Sequence, residues 1–274
     1  MSEVSELPDG NVQAGARAGA GSFAHTRVDR VGATVLRGAG PWTPAVHALL
    51  RHLEAAGFRG APRVVGAGIA PDGRETLTYI PGETLHPGQP TVKAAAAVGR
   101  LIRELHDATA SYRPSAGTVW QTHFAGDLGG PARVIGHRDL GPWNVVTSGG
   151  LPVAFIDWDL AGPIDPLVEL AQACLGNANL YSDDIPERDL LPALDVRARQ
   201  LGAMVDAYGL SREQRAGFFD LMVGFVVHSM AHDADEAEVT PVTRESDATW
   251  ALAWQARRGA WLLRNRRTLE GTLA

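Results

Sequence analysis

Apolar positions recur at three- and four-residue intervals over Val46, Leu49, Leu50 and Leu53. That spacing predicts a helix, with Thr43 as its N-cap, Pro44 in its first turn and Gly57 ending it. On either side the pattern shortens to strands. Val28 and Val31, then Val35 and Leu36, flank Gly32 and predict a hairpin within 23–37. Two more strands are expected over 63–67 and 75–80, with Pro71-Asp72-Gly73 as a turn between them. Pro81-Gly82 and Pro87-Gly88-Gln89-Pro90 break the pattern, and beyond them helices dominate. Val92, Ala95, Ala96, Gly99, Ile102 and Leu105 form one stripe of a helix over 91–108, and further helices are expected over 167–175, 190–208, 212–232 and 247–268. Between them, 145–146 and 153–156 predict two short buried strands around Ser148-Gly149-Gly150. The chain therefore divides into a small mixed lobe, residues 1–80, whose first ~20 residues read as loose, and a mostly helical lobe, residues 81–274.

Composition narrows the classes. Of 274 residues, 45% are hydrophobic and 20% charged, ordinary for a packed chain. Cys174 is the single cysteine, so an internal disulfide framework is excluded. A net charge of −6 argues against a general nucleic-acid binder. No apolar run reaches the ~18 residues of a membrane span, and the acidic start is unlike a signal peptide, so a cytoplasmic protein with no membrane partner is expected. Lys93 is the only lysine. Any role that chemistry usually gives to lysine falls to arginine or is missing.

The polar residues that stand out lie in one stretch. His137-Arg-Asp139-Leu-Gly-Pro-Trp-Asn144 precedes the first short strand, and Phe155-Ile-Asp157-Trp-Asp159 follows the second. A hairpin brings its ends together, so Asn144 and Asp157 should face one small volume beside Asp139. Two carboxylates and an amide oxygen suit Mg²⁺, a hard cation that takes oxygen ligands and shares them with phosphates. The first motif alone would arise by chance in about one chain in fifty, and the added Asp at thirteen residues cuts that by roughly twenty-fold.

This wording resembles the aminoglycoside phosphotransferase and choline kinase family, in which the metal Asp sits in an Ile-Asp-(Trp/Leu/Phe) strand end rather than in Asp-Phe-Gly. The continuation Gly162-Pro-Ile-Asp165-Pro-Leu-Val-Glu-Leu-Ala is also similar. The resemblance implies an α+β, bilobal protein-kinase-like fold with a small β-rich N-lobe carrying one helix and a larger, mostly helical C-lobe. It implies an enzyme that moves the γ-phosphoryl of ATP or GTP to a hydroxyl of a small molecule, an aminoglycoside-like antibiotic among the candidates, which would make the protein a resistance factor. Asp139 would take the hydroxyl proton, and Asn144 and Asp157 would hold Mg²⁺. The base would lie along Tyr79, Ile80 and Gly82. The partners implied are the nucleotide and the small hydroxylated substrate, with no obligate protein partner.

The pattern is incomplete in the small lobe. The strand lysine that normally holds the phosphates is absent, Lys93 lies past the lobe boundary, and Arg37 is the best positional match, as a phosphate ligand or as an ordinary surface arginine. The helix over 45–56 has only Glu54, too late to pair with it, and His47 or Val46 lies nearer. Gly10-Asn11-Val12 and Gly19-Ala-Gly-Ser-Phe-Ala are candidate phosphate loops, and no P-loop signature is present. His137 and Arg138 read as residues that shape the loop. Asp159 reads either as a helper at the metal site or as a turn cap, and Asp165 as structural. The acids at 183–189 and 233–238 read as solvated charge or as part of an acceptor pocket. The gaps in the small lobe motivate a second reading, a catalytically impaired nucleotide-binding pseudo-phosphotransferase with a regulatory or binding role.

Overall fold

A computed structural model describes residues 28–86, 89–131, 133–183, 191–240, 243 and 247–274. Both candidate phosphate loops and the acids at 184–189 lie outside the described residues.

Strand β1 (Asp29–Val31) turns at Gly32, φ +61°, into β2 (Thr34–Arg37). Helix α1 (Thr43–Ala55) follows. Its N-cap is Trp42, one residue earlier than expected, because the Thr43 hydroxyl accepts the Gly40 N–H at 2.9 Å instead of capping the helix. Strands β3 (Val64–Ile69) and β4 (Glu75–Thr78) complete an antiparallel sheet of order β1-β2-β4-β3. The apolar stripe of α1 is fully buried at Val46, Leu49, Leu50 and Leu53, each contributing ~1.5–3 kcal/mol of burial.

The linker forms a two-residue strand, β5 (Glu83–Thr84), that pairs with the C-lobe hairpin, an element too short to be read from periodicity. Helix α2 (Val92–Thr109) starts where Thr91 accepts the Ala94 N–H at 3.1 Å. Strand β6 (Val134–Gly136) leads into the polar loop. The hairpin β7 (Val145–Ser148) and β8 (Leu151–Phe155) turns at Gly149 and Gly150, both at positive φ, where it was expected. Strand β9 (Gly162–Ile164) pairs back onto β6, which the sequence did not suggest. The remaining helices are α3 (Pro166–Asn177), α4 (Leu194–Tyr208), α5 (Arg212–Ala216), α6 (Phe218–Glu236), α7 (Asp247–Arg264) and α8 (Arg266–Glu270). The single helix expected over 212–232 is two, because Gly217 ends α5 and begins α6. Asn265 divides the last helix in the same way.

The fold is bilobal and α+β, with a small β-rich N-lobe and a larger helical C-lobe. The core runs from α1 through α2 into the C-lobe, with Phe155, Trp158, Ile102, Leu105, Leu140 and Ile164 fully buried. Helices α2 and α4 approach so closely that a Cβ on Gly99 would overlap the Met204 carbonyl oxygen. Among the described residues no helix is long and apolar enough to cross a membrane.

Candidate functional site

The polar loop after β6 is shaped by its own buried residues. His137 is fully buried; its Nδ1 accepts the Asp139 N–H at 3.3 Å and its Nε2 donates to the Ile156 carbonyl at 2.9 Å. Burial, the largest influence, holds this imidazole below its ordinary pKa, which agrees with a neutral ring that accepts on one side and donates on the other. Arg138 adopts φ +64° and sends its guanidinium to main-chain carbonyls, Leu160 at 2.5 Å, Gln121 at 2.6 Å and Ala161 at 3.1 Å. Burial lowers its pKa to about 10, so it stays charged near neutrality. A Cβ on Gly162 would come within 2.5 Å of that guanidinium, which is why a glycine stands there.

Behind the loop, the Arg138 N–H donates to Glu169 Oε1 at 2.6 Å, and Glu169 Oε2 meets His106 Nε2 at 2.6 Å. The other His106 nitrogen meets the Tyr208 hydroxyl at 2.8 Å. Burial pushes the Glu169 carboxyl up, but His106 and the Arg138 amide outweigh it and hold it below the usual range. Asp165 caps α3 through the Leu167 N–H at 2.7 Å and also takes the Gly130 N–H at 2.6 Å, the structural role expected for it. The dense motif is thus held from α2, α3 and α4 together.

At the surface of this scaffold, Asn144 donates its side-chain amide to the Asp139 carbonyl and to Asp139 Oδ2, both at 2.9 Å. Asp157 follows β8 at φ +63°, half exposed. The structure brings Asn144 onto Asp139 and places the other end of the hairpin alongside, since the Ile156 N–H donates to the Asn144 carbonyl at 3.0 Å.

The Asp157 carboxylate faces the small lobe. Arg37, the last residue of β2, donates from Nη1 to Asp157 Oδ1 at 2.8 Å, from Nη2 to Asp159 Oδ1, and from Nε to Glu75 Oε2 at 2.5 Å. Glu75 lies opposite Arg37 in the β2–β4 register and is almost wholly buried, and its other oxygen meets His47 Nε2 of α1 at 2.8 Å. Burial opposes the charge on Arg37, but Asp159, Asp157 and Glu75 together outweigh it and raise its pKa. Burial also opposes the Glu75 charge, and His47 with Arg37 brings that carboxyl below its ordinary value. Asp159 moves the other way: burial first, then the charges of Asp157 and Glu75, push it up to about 6 against the pull of Arg37.

Sequence reasoning missed Glu75 altogether. Its signal was an acid at the inward position of an alternating strand, in phase with buried Leu77. The partner expected from a helix comes from a neighbouring strand, and α1 contributes His47 to brace it. Glu54 is instead 3.7 Å from Arg63. Asp159 pairs with Arg37. Of the linker residues, the Tyr79 N–H is spent on the Ala33 carbonyl at 2.8 Å, and Arg30 lies over the Tyr79 ring at 3.7 Å. Ile80 is partly buried, and Gly82, φ +146°, packs flat against Thr147 with no room for a Cβ.

The donor set does not fit Mg²⁺ as it stands. Asp157 Oδ1 accepts a guanidinium hydrogen, and Asp159 and Glu75 meet the same cation, so the carboxylates that would face the ion already have a counter-charge. Asn144 donates to Asp139 through its nitrogen, which leaves its oxygen out of that contact. Among the described residues no three His, Cys, Asp or Glu side chains converge as a metal-ligand set.

The phosphotransferase enzyme family model matches residues 116–218, the segment that holds the polar loop and Asp157. Among solved structures, an amicoumacin kinase in complex with AMP-PNP and Ca²⁺ superposes with a TM-score of 0.64 at 12% identity, covering 86% of this chain and 85% of that one. A microcompartment-associated aminopropanol kinase gives 0.59 at 16% identity over 91% of each chain. A choline/ethanolamine kinase family protein from Mesorhizobium loti gives 0.55 at 17%, over 90% of this chain and 88% of its own. At these identities the likeness shows a protein-kinase-like fold, and the fold alone.

The sequence relationship is nearer to something else. The trifolitoxin immunity protein of Rhizobium leguminosarum bv. trifolii is 50% identical over 249 residues, 91% of this chain and 95% of that protein. The chain belongs to the trifolitoxin immunity protein family.

That finding corrects the functional expectations. An active small-molecule phosphotransferase with an alcohol acceptor was expected, and with it kinase chemistry, ATP turnover and a resistance role by antibiotic modification. The much more similar relative is named for immunity and not for phosphoryl transfer, so only the kinase-like fold stands. The expectation of no obligate protein partner falls for the same reason, since that relative is named for immunity to a toxin. The motif encodes the loop and hairpin scaffold of the fold, and that scaffold by itself does not specify the activity.

Proposed function

We propose that the chain is a catalytically inactive, kinase-fold immunity protein of the cytoplasm that protects its host from a toxin of the trifolitoxin kind by binding. The observation that carries this reading is the 50% identity to an immunity protein across nearly the whole of both chains. The site supports it, because Asp157 and Asp159, the acids that would face a metal-bound nucleotide, are engaged with Arg37. In this proposal the small lobe ends at residue 80 and a nucleotide lies in the cleft along Tyr79, Ile80 and Gly82, beside Arg37. In this reading the nucleotide, ATP or GTP, is a ligand that stabilises the fold and is not consumed.

The test is protection. The chain is expressed in a trifolitoxin-sensitive bacterium beside an Asp139→Ala variant with the same melting temperature. Both are expected to protect equally. No protection by the wild type removes the immunity reading, and loss of protection in the variant alone returns the protein to phosphoryl transfer. Thermal shift with ATP or GTP in EDTA tests the nucleotide part separately.

A further inference from the structure

We propose that Arg37 is the resident cation of this cleft, set by the fold in the place that a divalent ion takes in a kinase-like site. The inference stands on the geometry of the cluster and on no part of the immunity reading.

Three features of the chain build it. Pairing of β2 with β4 sets Arg37 opposite Glu75 and Val35 opposite Leu77, so Arg37 leaves the strand on the face turned to the core and the other lobe. The guanidinium then meets three acids with three different nitrogens: Nε with Glu75, Nη1 with Asp157 and Nη2 with Asp159. A planar fork can do this and a single ammonium cannot, which gives physical content to an arginine at a position where a lysine was expected. Finally, Glu75 is itself held by His47, and Gly68 makes room for His47: at φ +89°, a Cβ there would lie 2.5 Å from the imidazole Cε1.

A divalent ion has no easy way in. Mg²⁺ gives up its water reluctantly and binds proteins through one or two carboxylates together with phosphates. Here it must displace a cation tethered to the same chain, whose effective concentration at the acids is far above that of any free ion.

Mn²⁺ is the probe, titrated into the full chain and followed by the paramagnetic resonance of the free ion. The wild type is expected to show no saturable site up to millimolar Mn²⁺. Arg37→Met, which removes the shared cation from three acids, is expected to take up one equivalent at least tenfold more tightly than any wild-type binding. Arg37→Lys, which keeps a cation, is expected to stay close to the wild type. One equivalent bound by the wild type and abolished by Asp157→Asn overturns the inference. So does an Arg37→Met protein with a wild-type circular dichroism spectrum that binds no more Mn²⁺ than the wild type. If Arg37→Met does not fold, the wild-type titration decides: a saturable site lost in Asp157→Asn refutes the assignment, and none supports it. Protection assays with Asp139→Ala are indifferent to all of these results, so the two readings fail separately.

Discussion

Arg37 Nη1 and Asp157 Oδ1 lie 2.8 Å apart, and this one bond ties the last residue of β2 in the small lobe to the residue that follows the β7–β8 hairpin in the large one. Asp157 is half exposed and its share is small, whereas Glu75 is almost wholly buried and loses most if the guanidinium is removed. Breaking a buried pair costs about 3–5 kcal/mol. Arg37→Met is expected to fall at the lower end, lowering the melting temperature by roughly 6–12 °C. Adding Glu75→Gln should recover part of that loss, because it removes the stranded charge. A double-mutant cycle with no coupling would contradict the cluster.

The pH dependence has two opposing parts. His137 has a depressed pKa, so the folded state binds its proton less readily than the unfolded chain. Its contribution is present above the unfolded value near 6.5 and is lost as pH falls through the folded value. Glu169, also depressed, adds to the loss at lower pH. The melting temperature is therefore expected to drop on acidification below pH 6.5, and His137→Asn should flatten the first part of that drop.

Asp159 has the reverse sign. Its carboxyl is raised from 3.8 to about 6, so the folded state favours the protonated form. That contribution is present below pH 4 and is lost as pH rises through about 6. Relative to the wild type, Asp159→Asn should gain on the order of 1 kcal/mol between pH 4 and pH 7, with allowance made for the partial exposure of the group. Parallel curves for the two proteins would mean that Asp159 does not titrate there.

Two glycines separate steric need from backbone strain. Gly68→Ala must push His47 from Glu75 as well as bear φ +89°. Gly73→Ala, at φ +85° with open space around it, bears the strain alone. The second should cost about 1–2 kcal/mol and the first clearly more. Equal losses in chemical denaturation would mean that the His47–Glu75 contact carries no weight.

Glu169→Gln is expected to be among the more damaging substitutions outside the cleft. The carboxylate accepts from both the Arg138 amide and His106, and a glutamine offers one oxygen and an NH₂ that faces a donor. The loss should be about 2–4 kcal/mol, and hydrogen exchange should rise in the 137–144 loop. A silent substitution would remove the buried network as the support of that loop.

Much of this molecule was legible in the chain because the information is local. The stripe of α2, the Pro44 start of α1, the glycine turn of the β7–β8 hairpin and the run from His137 to Asp159 each depend on residues a few positions apart, and the fold follows from their order. The two-residue β5 and three-residue β9 escaped because they are strands only through their partners β7 and β6. What the motif does was decided at longer range. Arg37 was visible as the candidate for a missing lysine, but its three acids come from positions 75, 157 and 159, and only strand register and lobe packing bring them to one guanidinium. A sequence specifies which groups exist and how they are spaced; whether two opposite charges meet, and so cease to be available to a ligand, depends on distances of a few ångströms across elements more than a hundred residues apart, and tertiary packing alone sets those.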